Sequence, residues 1–173
     1  GSTVVGTASI DQVNGGAGPD IIDGGAGATI VDVLTGGGGN DVYTYSAIAN
    51  LFTGNAIVDT ITETATGGTD TIQLDSTGTG FTIAATADFG TRAVNIEQIT
   101  ALPSTNAYSV TLKANADTTA AALRTIDLSG DTIAGGTNVV VLTAVDGAYI
   151  VTGGVGVDQI TLSKGVDVVD GGL

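Results

Sequence analysis

The chain has no cysteine, methionine, tryptophan or histidine, and only four of its 173 residues are Lys or Arg. Each absence removes a class of chemistry. Without Cys or His there are no disulfides, no thiolate or imidazole metal sites and no nucleophile–histidine dyads. Eighteen acidic residues against four basic ones give a net charge of −14. No basic patch exists to neutralise phosphates, so nucleic acid is excluded as a partner. No apolar run approaches the roughly 18 residues needed to span a bilayer, and no membrane insertion is expected. Aromatics make up 4% of the chain, which argues against a sugar or small-ligand pocket lined by rings. The only prolines, Pro19 and Pro103, fall in segments that read as loops.

What is abundant is glycine, with 28 residues, and aspartate, which supplies 16 of the 18 acids, the other two being Glu63 and Glu97. Near the start they fall into a nine-residue rhythm: GTASIDQVN (6–14), GGAGPDIID (15–23), GGAG…VDVLT (24–35) and GGGGNDVYT (36–44). The third unit keeps the rhythm only if Ala28, Thr29 and Ile30 are an insertion. Asp11, Asp20, Asp32 and Asp41 then hold the sixth place, and Val13, Ile22, Leu34 and Tyr43 the eighth. Turn glycines stand at Gly15, Gly16 and Gly18, at Gly24, Gly25 and Gly27, and at Gly36, Gly37 and Gly39.

The spacing has a physical reason. Glycine lets the backbone turn and lets carbonyls approach an ion without a Cβ in the way. Calcium is a hard cation that takes roughly six to eight oxygens at about 2.3–2.6 Å, from carboxylates and carbonyls alike. A GGxGxD loop offers both. The residues after it form a short strand whose central apolar side chain points inward. If two units make one coil, an ion between stacked loops joins Asp11 to Asp32 and Asp20 to Asp41.

On these motifs, residues 6–44 resemble the hemolysin-type, or RTX, calcium-binding repeats of secreted bacterial proteins. The resemblance implies Ca2+ as the bound cofactor. With the strand periodicity, it implies an all-β fold: a right-handed parallel β-roll or β-helix of short strands. Residues 1–5 read as a lead-in, with Gly1-Ser2 a cloning scar. An ungapped nine-residue frame returns over 126–173, with Asp131, Val140, Tyr149, Asp158 and Asp167 at sixth places and Ile133, Leu142, Val151, Ile160 and Val169 at eighth places. Within it Gly153, Gly154, Gly156 with Asp158, and Gly165 with Asp167, form a second, interrupted set of candidate ligands. The chain stops as a new GG opens, so the whole reads as a segment of something longer.

Residues 45–125 read as an irregular solenoid of short strands. The phrases Val94-Asn95-Ile96-Glu97-Gln98-Ile99 and LRTIDLSG (123–130) resemble those of RTX-type surface-layer proteins. A helix is a candidate over 114–123, with Asp117 as N-cap. Asp23 and Asp170 read as turn acids, and Asp59, Asp70, Asp75 and Asp127 by default as solubilising surface charge. Asp70, after Gly67-Gly68, is a weak further ligand candidate. Glu63 and Glu97 do not read as a glycosidase pair. Two nonapeptides per coil predict nine to ten coils and a rod of about 45 Å.

The expected function is a non-enzymatic structural segment of a secreted, extracellular bacterial surface protein that folds and self-associates with calcium, through its ends or through calcium bridges. The alternatives are a repeat module of a large adhesin, or a passenger repeat of a secreted protease, lipase or epimerase. Any cell-surface polysaccharide would be bound by regions outside this segment.

Overall fold

The computed structural model describes residues 1–53, 56–75, 82–83, 89–103, 107–112, 121–132 and 134–173. Its spine is one parallel sheet of eight strands: β1 (Thr3–Val5), β3 (Ile21–Asp23), β5 (Val42–Tyr45), β9 (Thr71–Leu74), β12 (Gln98–Ala101), β14 (Thr125–Asp127), β16 (Ile150–Thr152) and β18 (Val168–Asp170), stacked in that order. The second wall is two parallel four-stranded sheets. The first holds β2 (Gln12–Ala17), β4 (Val33–Gly38), β8 (Thr60–Thr62) and β11 (Ala93–Val94). The second holds β10 (Thr82–Ile83), β13 (Ser109–Thr111), β15 (Thr137–Val141) and β17 (Val157–Thr161). Among the described residues no helix is long and apolar enough to cross a membrane.

Register follows from the eighth places. Val4, Ile22, Tyr43, Ile72, Ile99, Ile126, Val151 and Val169 pair rung to rung along the spine. Val13, Leu34, Ile61 and Ala93 do so on the first second-wall sheet, and Ile83, Val110, Val140 and Ile160 on the other. A slip by one residue would turn each ladder out of the core, so burial fixes the register. Ile22, Ile72, Ile99, Ile126 and Val151 are fully buried in a single core cluster.

The rung-to-rung spacing along the spine is 18, 21, 29, 27, 27, 25 and 18 residues. Two nonapeptides make the first and last coils. The 21-residue coil carries the Ala28–Ile30 insertion, and Leu34 pairs with Val13 as the gapped reading requires. The 29-residue coil absorbs a one-turn helix, α1 (Ile48–Leu51), and an antiparallel hairpin of β6 (Phe52–Thr53) with β7 (Ala56–Ile57). These lengthened coils correct the expected nine to ten: the described residues form eight rungs, about 34 Å of stacking at the usual strand spacing.

The ungapped frame over 126–173 is also corrected. Val139 pairs with Gln159 and Val140 with Ile160, so Val140 is an eighth-place core residue and Asn138 stands opposite Asp158. Two residues more than the frame allows lie between that rung and the next. Leu142 is buried core beyond the strand rather than an eighth place. Ile133 and residues 114–120 of the helix candidate lie outside the described residues.

Candidate metal centre

The residue just before each spine strand forms a row: Ser2, Asp20, Asp41, Asp70, Glu97, Arg124, Tyr149 and Asp167. The carboxylates in it are joined by one repeated hydrogen bond, in which the backbone N–H of one coil donates to the acid of the next. Asp20 N–H donates to Asp41 Oδ1 at 2.7 Å, Asp41 N–H to Asp70 Oδ1 at 2.9 Å and Asp70 N–H to Glu97 Oε2 at 2.7 Å. Tyr149 N–H donates likewise to Asp167 Oδ1 at 2.9 Å. A second row precedes the first second-wall sheet, with Asp11 N–H donating to Asp32 at 2.9 Å and Asp32 N–H to Asp59 at 3.0 Å. The expected stacking of Asp11 on Asp32 and of Asp20 on Asp41 is therefore present, and each row runs further than the nonapeptides do.

Asp59 and Asp70 are corrected by this geometry. Both are buried members of the rows, not surface charge. The nine-residue count is lost in the long coils, but each acid still stands directly before a strand: Asp59-Thr60-Ile61, Asp70-Thr71-Ile72, Glu97-Gln98-Ile99. That triplet was the available signal. Asp23 and Asp170 do serve turns, each accepting from an amide two residues on, at Gly25 and Gly172, and Asp127, expected as surface charge, does the same at Ser129.

While Oδ1 accepts from the neighbouring coil, Oδ2 turns toward the glycine loop. Asp20 Oδ2, Asp41 Oδ2 and Asp158 Oδ2 are buried with no hydrogen-bond donor. A Cβ at Gly15 would collide with Asp20 Oδ2 and the Gly36 carbonyl, and one at Gly153 with Asp158 Oδ2 and the Gly171 carbonyl. At Gly24 it would meet Asp32 Oδ2 at 2.8 Å and Asp59 Oδ2 at 3.3 Å. Gly16 (φ +113°) and Gly37 (φ +104°) turn the loops through a region that side chains avoid. At Asp20, Asp41 and Asp158 a donor-free carboxylate oxygen thus faces the glycine loop, and at Gly15 and Gly153 a carbonyl lies beside it, which is the kind of ligand set a hard cation takes.

Not every candidate aspartate is so placed. Asp11 Oδ2 accepts from the Thr7 amide at 2.6 Å and its hydroxyl at 3.0 Å. Asp167 accepts from the Ser163 amide and hydroxyl. Against the upward pull of burial, these donors and the Tyr149 amide hold its carboxyl below the usual range. Thr7 and Ser163 occupy the second place, where Gly16, Gly25, Gly37 and Gly154 stand elsewhere. Around Asp158, Asn138 Nδ2 donates to Oδ1 at 2.9 Å, and Gly154 lies against both Asn138 and buried Asp131. Gly165 lies against the Gly147 carbonyl, and the Gly18 carbonyl lies against Gly39 of the next coil.

Electrostatics mark the first block. Burial raises the Asp41 carboxyl, with the charges of Glu63 and Asp20 adding to it and the Asp20 amide opposing. Asp70 is pushed up to about 6 by burial and, against the Asp41 amide, by Glu63, Glu97 and Asp41. Asp59 and Glu97 rise for the same first cause. Two tyrosines of β5 reach into the rows: the Tyr43 hydroxyl donates to Glu63, and the Tyr45 hydroxyl to Asp59 Oδ2 at 2.9 Å. A cation follows where the acids of the spine row run out. On the spine Arg124 stands one rung past Glu97, its guanidinium 5.6 Å from the Tyr149 ring, and beyond the second row Arg92 aligns with Thr60, one place along from Asp59, where its charge counters the rise of the Asp59 carboxyl.

Stacked acid rows over glycine loops on a parallel β-solenoid define a cation-loaded repeat protein. The RTX calcium-binding nonapeptide repeat matches the chain in four copies, over residues 5–43, 31–47 and 145–173. The chain therefore carries RTX repeats, and Ca2+ is the ion such repeats bind. The curated proteins and the solved structures compared with it give no match. The three matched stretches cover the loops whose carboxylate oxygens lack donors, at Asp20, Asp41 and Asp158.

Proposed function

We propose that this chain is a non-enzymatic structural segment of a secreted bacterial cell-surface protein of surface-layer type, stiffened by calcium and associating through it. The observation that carries the reading is the unbroken eight-rung spine with acid rows along its edges. Such a solenoid is stabilised by neighbour contacts repeated along one axis, which suits a stalk or lattice element. Glu63 and Glu97 support the non-enzymatic reading, because backbone amides bind both and fix them in the wall. Without cations the stacked carboxylates repel, so calcium supplies folding energy outside the cell, where it is plentiful.

Carboxylate rows lying along a stack let a bound calcium ion bridge one such stack to another. Light scattering and negative-stain microscopy during a calcium titration test this. Association end to end or side by side at millimolar calcium is expected. A strictly monomeric particle throughout would contradict the lattice role and favour a passenger repeat of a larger exoprotein.

A further inference from the structure

We propose that Asp41, Glu63 and Asp70 together hold a further calcium ion, at the seam where the matched repeats end. The inference rests on the calcium reading above and extends it, because Glu63 and Asp70 lie outside every matched stretch. All three residues are buried, and one carboxylate oxygen from each lies within 4.8 Å of the others. Oxygens on opposite sides of a calcium ion at its usual bond length are about 5 Å apart. The three can therefore share one ion as they stand.

The independent pointer is Asp41 Oδ2, a carboxylate oxygen without a hydrogen-bond donor on a fully buried side chain. It faces the same space as Glu63 Oε1, since a Cβ on Gly36 would strike both atoms. A buried ionised oxygen in that setting requires a partner, and a cation between the two carboxylates is one.

Register explains how a residue outside the repeat arrives there. Thr60 pairs with Val33 and Ile61 with Leu34, which puts Glu63 on the rung of Gly36, the first glycine of its loop. Where the repeat has glycine this coil has a carboxylate, long enough to reach back over the loop of the preceding coil. The amides of Gly36 and Gly37 and the hydroxyl of Tyr43 donate to it and fix its position. The loop pair before it offers two acids, Asp20 and Asp41; this one offers three. Calcium affinity rises with ligand charge, so this site fills first and nucleates the coils on either side.

Calcium calorimetry on the wild-type chain and Glu63→Gln tests the site, since glutamine keeps the size and an acceptor oxygen but removes the charge. The variant should lose one ion, or bind the tightest class at least about tenfold more weakly, while the ion at Asp158 is retained. Terbium(III), an oxygen-seeking calcium substitute excited through nearby tyrosine, gives a second readout in a chain without tryptophan. Its emission should fall sharply in Tyr43→Phe, which leaves the three carboxylates intact.

Unchanged ion number and affinities in Glu63→Gln overturn the site and leave the repeat reading standing. So does wild-type emission from Tyr43→Phe. A wild-type chain that binds no calcium overturns both.

Discussion

At the scale of the residue, the second place of each loop decides what the aspartate can do. With glycine there, Asp20, Asp41 and Asp158 keep a buried oxygen without a donor; with Thr7 or Ser163 there, Asp11 and Asp167 are satisfied locally. Calorimetry should therefore show Asp158→Ala losing more calcium binding than Asp167→Ala, and Asp32→Ala losing a tight class; equal, small losses from all three would contradict this. The raised carboxyls add a pH dependence. Asp70 ionises near 3.8 when unfolded but near about 6 in the calcium-free fold. Between those values the folded chain binds more protons, so this stabilisation is complete below 3.8 and is lost as pH rises through about 6. In calcium-free buffer the β circular-dichroism signal should grow on acidification from pH 7 toward 4. Saturating calcium should reverse the trend as protons compete for the ligands. A flat calcium-free profile would contradict the burial of Asp70.

At the scale of the element, what survives along the chain is the acid or its substitute directly before a strand with an apolar centre. In 6–44 the glycine loops are short and regular, so the strands, their register and the stacking of Asp20 on Asp41 are all legible from spacing. In the long coils insertions follow the strands and break the count. The strands Thr60–Thr62 and Thr71–Leu74 are still visible as alternation, but the carboxylates that introduce them look like isolated charges. Their burial depends on which coils stack, and local spacing does not carry that. The second block misleads in a different way: valines run from 139 to 141, so an apolar residue fits the eighth place in more than one frame, and only pairing with Ile160 selects Val140. The spine ladder makes an energetic prediction. Ile72→Ala, at a fully buried rung in the middle of the stack, should cost about 2–5 kcal/mol in denaturant unfolding of the calcium-loaded chain. A cost under about 1 kcal/mol would mean the ladder is not the core.

At the scale of the whole molecule, a chain with net charge −14 concentrates its acids in rows along one stack. Arg124 stands in the spine row where its run of acids stops, and Arg92 lies in the coil beyond Asp59, opposite Thr60. The apolar ladders draw the coils together and the acid rows push them apart, and on the proposed reading calcium decides the balance, because it binds the stacked form in preference. Magnesium should substitute poorly, given its demand for short, near-octahedral bonds. The most direct test is far-UV circular dichroism of this chain as calcium is added to chelator-treated protein. A cooperative gain of β signal, reversed by chelator and not produced by equal magnesium, is the predicted result. A full β signal that persists in excess chelator would contradict the account, because the fold would then stand without the ion its acid rows are arranged to hold.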